Sequence, residues 1–280
     1  ALLLRSELRM TDLSKVQYLP IYQEESRIRM TKMSAKPYLL LDAGGVLLFM
    51  DQDYLSRLAD TFGFQVEAEQ FYDQHFRLIH WFDMYVSTHR RFPQELTKPY
   101  SQFLLESVGM SAETAAQAAR MAEVRNEQMT LWGFTFPWVV ETLGQLKRQG
   151  YRMSIVSNSD GTVERELHNR GMRGYFERVY DSEVVGVRKP DPGIYELALT
   201  DLDLRPEEAL FVGDMFHIDI WGANRVGIPG LHLDPLGLYE GWPGARIQDV
   251  RQLPGWLREY AEAPEQFEVV PLRDFALLTE

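Results

Sequence analysis

Three short apolar runs, each stopping at small polar residues, constrain this chain more than any other feature. Tyr38-Leu39-Leu40-Leu41 ends at Asp42 and is followed by Gly44-Gly45; Arg152–Val156 ends at Ser157-Asn158-Ser159; Leu210-Phe211-Val212 ends at Gly213-Asp214. Runs this short, without polar alternation, read as strands buried on both faces, as in parallel sheets. Helical patterns stand between them: Pro137–Gln149 closed by Gly150, and Thr162–Arg170 closed by Gly171. This alternation predicts an α/β fold with a doubly wound parallel sheet. Ligands of such sheets sit beyond the carboxyl ends of the strands, so the three polar ends are expected to meet in one crevice.

Residues 51–135 break the rhythm. Leu55, Leu58, Ala59 and Phe62 follow helical spacing, as do Tyr100, Phe103, Leu104 and Val108, and Ser111–Gln128 is alanine-rich. A crossover between two strands needs far less chain, so an inserted helical cap domain is the economical reading. The expected division is an extension over 1–35, an α/β core over 36–50 and 136–262, the helical cap over 51–135, and a tail over 263–280. The extension has no strong period and reads equally as an added leader or an atypical extension. Beyond Gly244 a short strand (Ala245–Val250) and a helix near Gly255–Glu262 are expected.

Four places carry candidate chemistry, and each has a plainer explanation. Asp42 at a strand end, with glycines that let other backbone approach, suits a nucleophile; an aspartate opening an ordinary turn would look the same. Ser157 and Asn158 could hold a phosphoryl oxygen with nearby backbone N–H groups, or simply cap a helix. Lys189 lies in Gly186-Val187-Arg188-Lys189-Pro190-Asp191-Pro192, where two prolines restrict the backbone and fix its direction. A fixed ammonium offsets charge on nucleophile and substrate together, although a solvated loop lysine is the commoner case. Asp214, with Asp219 beyond it, adds carboxylates near Asp42 and makes an all-oxygen site suited to magnesium; acids favoured by a helix dipole would read alike.

The order of these segments decides between the readings. DAGGV, SNS, KPDPGIYELAL and FVGDMFHIDIWGANRVGIPG resemble, in sequence, the four signature motifs of the haloacid-dehalogenase superfamily, over residues 37–50 and about 136–255. The insertion lies where that family places its helical cap. The resemblance implies a catalytic Asp42 that forms a covalent aspartyl intermediate, Ser157 binding a transferring oxygen, and Lys189 neutralising nucleophile and substrate. Asn158 joins Ser157 and Lys189 as a substrate-binding candidate. The resemblance further implies a Mg2+ cofactor held by Asp42, the Gly44 main-chain carbonyl and Asp214, with Asp219 supporting the metal or the lysine. Such a site positions and neutralises charge for phosphoryl transfer.

One departure bears on the chemistry. Typical phosphatases of the family carry a second aspartate two residues after the nucleophile, as general acid/base; here it is Gly44. Dehalogenases of the family have tyrosine there, and phosphonate-cleaving members alanine. The leading expectation is a magnesium-dependent phosphatase acting on a small phosphorylated metabolite with a good leaving group. Metal-independent 2-haloacid dehalogenase-like cleavage is encouraged by DAGGV and opposed by the retained metal motif. A non-catalytic binding protein with a decayed site is favoured by Gly44 and opposed by Asp42, Lys189 and Asp214 together. Phosphonate cleavage would need a cap lysine; Lys98, the only lysine between Asp42 and Lys147, reads as a surface residue. Trp81, Phe82, Arg90, Arg91, Trp132, His75, His80 and His89 could face the cleft, aromatic residues of caps being more often packing.

Composition closes off several partners. With 29 basic and 41 acidic residues the formal charge is −12, which disfavours nucleic acid and anionic lipid. A small anionic substrate stays compatible, because local cations and a metal can reverse the field in one cleft. The 280 residues include no cysteine, so disulfides, thiolate catalysis and Cys-type zinc sites are excluded. No apolar run reaches the length of a membrane span, and Ala-Leu-Leu-Leu before Arg5 is too short for a signal peptide. A cytoplasmic location is expected; no pattern encodes an oligomeric state.

Overall fold

A computed structural model describes residue 33 and residues 36–91 and 98–263. Apart from Met33, the expected extension over 1–35 lies outside the described residues, as does the tail beyond Ala263.

The chain begins with β1 (Tyr38–Leu41) and enters the insertion: α1 (Gln52–Thr61), α2 (Ala68–His89), α3 (Tyr100–Ser107) and α4 (Ala112–Gln128). It returns through α5 (Pro137–Arg148), β2 (Met153–Ser157), α6 (Val163–Asn169), β3 (Val179–Asp181), α7 (Ser182–Val185) and α8 (Pro192–Asp201). The rest comprises β4 (Ala209–Gly213), α9 (Trp221–Arg225), β5 (Gly230–Leu233), β6 (Ala245–Ile247) and α10 (Leu253–Glu262). The sheet has six strands in the order β3-β2-β1-β4-β5-β6, and every pairing is parallel. β1 lies between β2 and β4, so the three strand ends singled out by sequence are adjacent.

β1, β2, β4 and β6 coincide with the expected strands to within a few residues. β3 and β5 do not stand out in the sequence, for physical reasons. β3 has three residues, and β5 interrupts its apolar run with Gly230 and a fully buried His232. Both faces of the sheet are covered. One core gathers Leu39, Leu41, Ile155, Leu210 and Val212 with Val139, Leu143, Leu167 and Leu257. The opposite one gathers Leu40, Val156 and Phe211 with Ile194, Tyr195 and Ala223.

The insertion has a separate core in which Leu55, Leu58 and Ala59 meet Leu104, Leu105, Ala115, Ala118, Ala119 and Ala122. Alanines at three- and four-residue spacing on α4 let it pack closely on α3. α2, at 22 residues, is the longest helix among the described residues. Its start is fixed by a capping box, in which Gln70 accepts from the Glu67 backbone N–H at 3.0 Å. Polar and aromatic residues dilute its apolar stripe, which is why periodicity alone leaves α2 unmarked. Among the described residues no helix is long and apolar enough to cross a membrane.

Candidate active site

Parallel neighbours bring Asp42, Ser157 and Asp214 to one edge of the sheet. Asp42 follows β1, its backbone N–H donating to Val212 O of β4 at 2.9 Å. Ser157 closes β2 and is buried, while Asp214 follows β4 directly. The turn after Asp42 is tight: Leu47 and Leu48 N–H both donate to Ala43 O, and Gly45 N–H donates to Leu48 O. Gly45 has φ +69°, and a Cβ there would lie 1.8 Å from Asp214 Oδ2. Only glycine permits that approach.

Lys189 reaches this edge from the loop before α8. Its Nζ is 2.9 Å from Asp42 Oδ1 and 2.6 Å from Asp219 Oδ1. Asn158 fixes the lysine's main chain, accepting from Lys189 N–H and donating to Lys189 O, both at 2.8 Å. One N–H and the oxygen of its side-chain amide are thus engaged by Lys189. Asp219 also accepts from Met215 N–H at 2.9 Å, so it braces the loop that follows Asp214.

Asp42, Asp214 and Asp219 are all buried, and one carboxylate oxygen from each lies within 4.8 Å of the others. Three carboxylates thus face the one ammonium of Lys189. Burial alone would lower the Lys189 pKa, but Asp219 and Asp42 outweigh it, raise the pKa and keep the ammonium charged. Burial, reinforced by the charge of Asp42, raises the Asp214 carboxyl well above the usual carboxylate range. An all-oxygen set of carboxyl groups in which burial keeps Asp214 from ionising suits a hard divalent cation, whose charge would ionise it.

The insertion supplies the opposite wall. A Cβ on Gly44 would meet the Trp132 ring at 3.6 Å, ordinary contact, so this indole lies against the glycine. His75 of α2 lies with its Nε2 3.3 Å from Asp214 Oδ2 and its Nδ1 2.6 Å from the Tyr100 hydroxyl of α3. Burial lowers the His75 pKa to about 4, leaving a neutral imidazole at ordinary pH. The other expected cap residues divide. His80 packs edge-on against Tyr239, and His89 stacks on Tyr85. Trp81 also lies against Tyr85, and Lys98 pairs with Glu106 at 3.0 Å.

Further contacts escaped the sequence reading. Asp83, fully buried on α2, accepts from the backbone N–H groups of Phe216 and His217 at 2.8 and 2.9 Å. It also contacts His217 Nδ1 at 2.9 Å and accepts from the Tyr239 hydroxyl at 2.6 Å. The usable signal is spacing: His75, Ile79, Asp83 and Ser87 recur every fourth residue, so an acid sits on a helix face that otherwise packs. From the core side, His232 Nε2 donates to the Asp214 main-chain carbonyl at 2.9 Å.

A family model of haloacid dehalogenase-like hydrolases matches residues 39–227. The chain belongs to that family. Its relatives include a glyceraldehyde 3-phosphate phosphatase of Methanopyrus kandleri, 33% identical over 48% of this chain and 61% of the relative. A phosphoserine phosphatase of Thermus thermophilus is 30% identical over 53% of this chain and 60% of the relative. A ribulose-1,5-bisphosphate 5-phosphatase of Halopiger xanaduensis is 37% identical over 39% of this chain and 44% of the relative. The matched region therefore spans less than two thirds of each relative. Among solved structures, a putative hydrolase of the superfamily from Bacillus subtilis bound to magnesium shares the fold with TM-score 0.54 and 18% identity, over 79% of this chain and 99% of that one.

Proposed function

We propose that this hydrolase is a magnesium-dependent phosphatase of small phosphorylated metabolites, with Asp42 as nucleophile and residues 51–135 as the cap over its site. The observation that carries the reading is the buried group of Asp42, Asp214 and Asp219 around the Lys189 ammonium, at the carboxyl ends of adjacent parallel strands. The relatives named as phosphatases support it.

Asp42, Asp214 and the Gly44 main-chain carbonyl would hold the cation. When bound, magnesium supplies charge neutralisation for the phosphoryl oxygens. Asp42 attacks phosphorus through a carboxylate oxygen, the bond to the leaving oxygen breaks, and the phosphoryl group passes to Asp42. Lys189 offsets charge on Asp42 and on the transferring group, while Ser157 donates to one of its oxygens. Asn158 serves by holding the Lys189 main chain, and Asp219 by holding Nζ. Water then attacks phosphorus and restores the Asp42 carboxylate. Gly44 carries no proton donor, so substrates whose leaving oxygen departs without protonation are favoured.

The test uses p-nitrophenyl phosphate and a chlorinated short acid, each with magnesium and with EDTA. Phosphate release that EDTA abolishes and magnesium restores is expected. Asp42→Asn should abolish turnover while keeping the parent's circular dichroism and melting curve, since the amide is a poor nucleophile of nearly equal size. Metal-independent halide release, or no turnover of either compound, overturns the reading.

A further inference from the structure

We propose that His75 is a positioning residue for the cation site: Tyr100 donates its hydroxyl hydrogen to His75 Nδ1, and His75 donates Nε2–H to Asp214 Oδ2. The proposal rests on the reading of Asp214 as a cation ligand. It ties a helix of the insertion to a carboxylate of the core.

The two contacts are 2.6 Å and 3.3 Å long, and they occupy the two ring nitrogens of one buried imidazole. A neutral imidazole carries one N–H and one lone pair. Against an ionised Asp214, as a cation ligand is, a proton on Nδ1 would set the Nε2 lone pair against a carboxylate oxygen at 3.3 Å with no proton between two acceptors. With the proton on Nε2, both contacts are hydrogen bonds and the Tyr100 hydroxyl has its acceptor. Three aromatic faces keep the ring in place. His75 meets Tyr100 and Trp132 edge-on at centroid distances of 5.8 and 5.6 Å, and Phe76 at 4.8 Å.

Gly45 also confines Asp214 Oδ2, because its hypothetical Cβ would lie 1.8 Å from that oxygen and 2.9 Å from His75 Nε2. Oxygen, imidazole and bare glycine therefore meet at one point. A carboxylate with one oxygen held by a fixed donor presents the other in one direction, and partners of this kind orient metal ligands. The same helix face continues downstream. Asp83, two turns on, takes the N–H groups of Phe216 and His217, and the Ser87 hydroxyl lies 3.3 Å from His217 Nε2. α2 thus contacts the strand-end segment at Asp214, Phe216 and His217. Its register fixes where His75 stands.

Two readouts test the assignment. In metal-free protein at a pH alkaline enough to ionise Asp214, long-range 1H–15N spectra, with the His75 signals identified by their loss in His75→Gln, should show the Nε2-protonated tautomer. Tyr100→Phe, which keeps the ring, should shift the Nδ1 resonance. The Nδ1-protonated tautomer overturns the proposal. Calorimetric titration with magnesium should show affinity about 10-fold weaker in His75→Ala, with His75→Gln recovering part of the loss through its amide N–H. Unchanged affinity in folded His75→Ala overturns the positioning role. A parent that binds no magnesium overturns the cation reading of Asp214 instead, and the tautomer still decides whether His75 holds that carboxylate.

Discussion

The strand ends and the face of α2 meet at Asp214, and they are built on different principles. At the strand ends, each charged group follows directly from a buried strand or an adjacent loop, and sheet pairing sets the spacing. Asp42 and Asp214 come together because β1 and β4 pair in register, Leu41 beside Val212. On α2, helical repeat aligns the polar groups instead, and their partners after β4 lie far off in sequence, Phe216 133 positions from Asp83 and Asp214 139 from His75. One side concentrates its information in short motifs. The other spreads it over a helix whose individual residues look like packing.

The sharpest way to break the comparison is to remove charge on the strand-end side. Asp214→Asn keeps size and most hydrogen bonding but takes a unit charge from beside the proposed cation. At an effective dielectric of about 20, that attraction is worth several kcal/mol. Apparent magnesium affinity should fall by about 10²-fold or more, measured by magnesium titration of phosphate release. A titration superimposable on the parent's would show that Asp214 is not a ligand.

The difference also explains what was legible in the sequence. β1, β2 and β4 were readable because continuous burial leaves runs such as Leu39-Leu40-Leu41 and Leu210-Phe211-Val212. Their polar ends marked Asp42, Ser157 and Asp214. β3 and β5 were not readable, one being too short and the other carrying a buried histidine whose partner is a main-chain carbonyl. Lys189 was readable through its prolines, whereas the commitment of Asn158 to the Lys189 main chain is a tertiary fact. His75 and Trp132 were visible only as cap aromatics, and Asp83 and Tyr100 gave no local signal of their contacts. Sequence spacing can suggest a helix face, but not which strand end it meets.

The second prediction strikes the α2 side. Asp83→Ala leaves the N–H groups of Phe216 and His217 and the Tyr239 hydroxyl without their acceptor. Buried donors stripped of partners cost about 1–3 kcal/mol each, and water entering the gap recovers part of that. A net loss of about 3 kcal/mol is expected by urea denaturation, with a lower melting midpoint. Asp83→Asn, which keeps one acceptor oxygen, should lose less. A stability equal to the parent's in Asp83→Ala would show that α2 does not hold this segment.

The smallest expected effect lies where another part of the insertion touches the strand-end motif, at Trp132 against Gly44. A carboxyl group at position 44 would supply the acid/base that the strand-end motif lacks, worth roughly 10²–10⁴ in rate where it is well placed. Here the Cβ alone already reaches the Trp132 ring at 3.6 Å, so the rest of an aspartate side chain must turn away from the indole or displace it. Gly44→Asp should therefore gain only about 10-fold on alkyl phosphates, below the usual range for such help, and less on aryl phosphates, whose leaving groups need little protonation. Adding Trp132→Ala should open room and widen the alkyl gain, because the indole and not the backbone blocks the carboxyl group. The measurement is a leaving-group series for the parent and both variants, with bound magnesium checked in each. If the parent hydrolyses alkyl and aryl phosphates equally fast with chemistry rate-limiting, another group already delivers the proton. If Trp132→Ala leaves the Gly44→Asp gain unchanged, the insertion does not control access to this position.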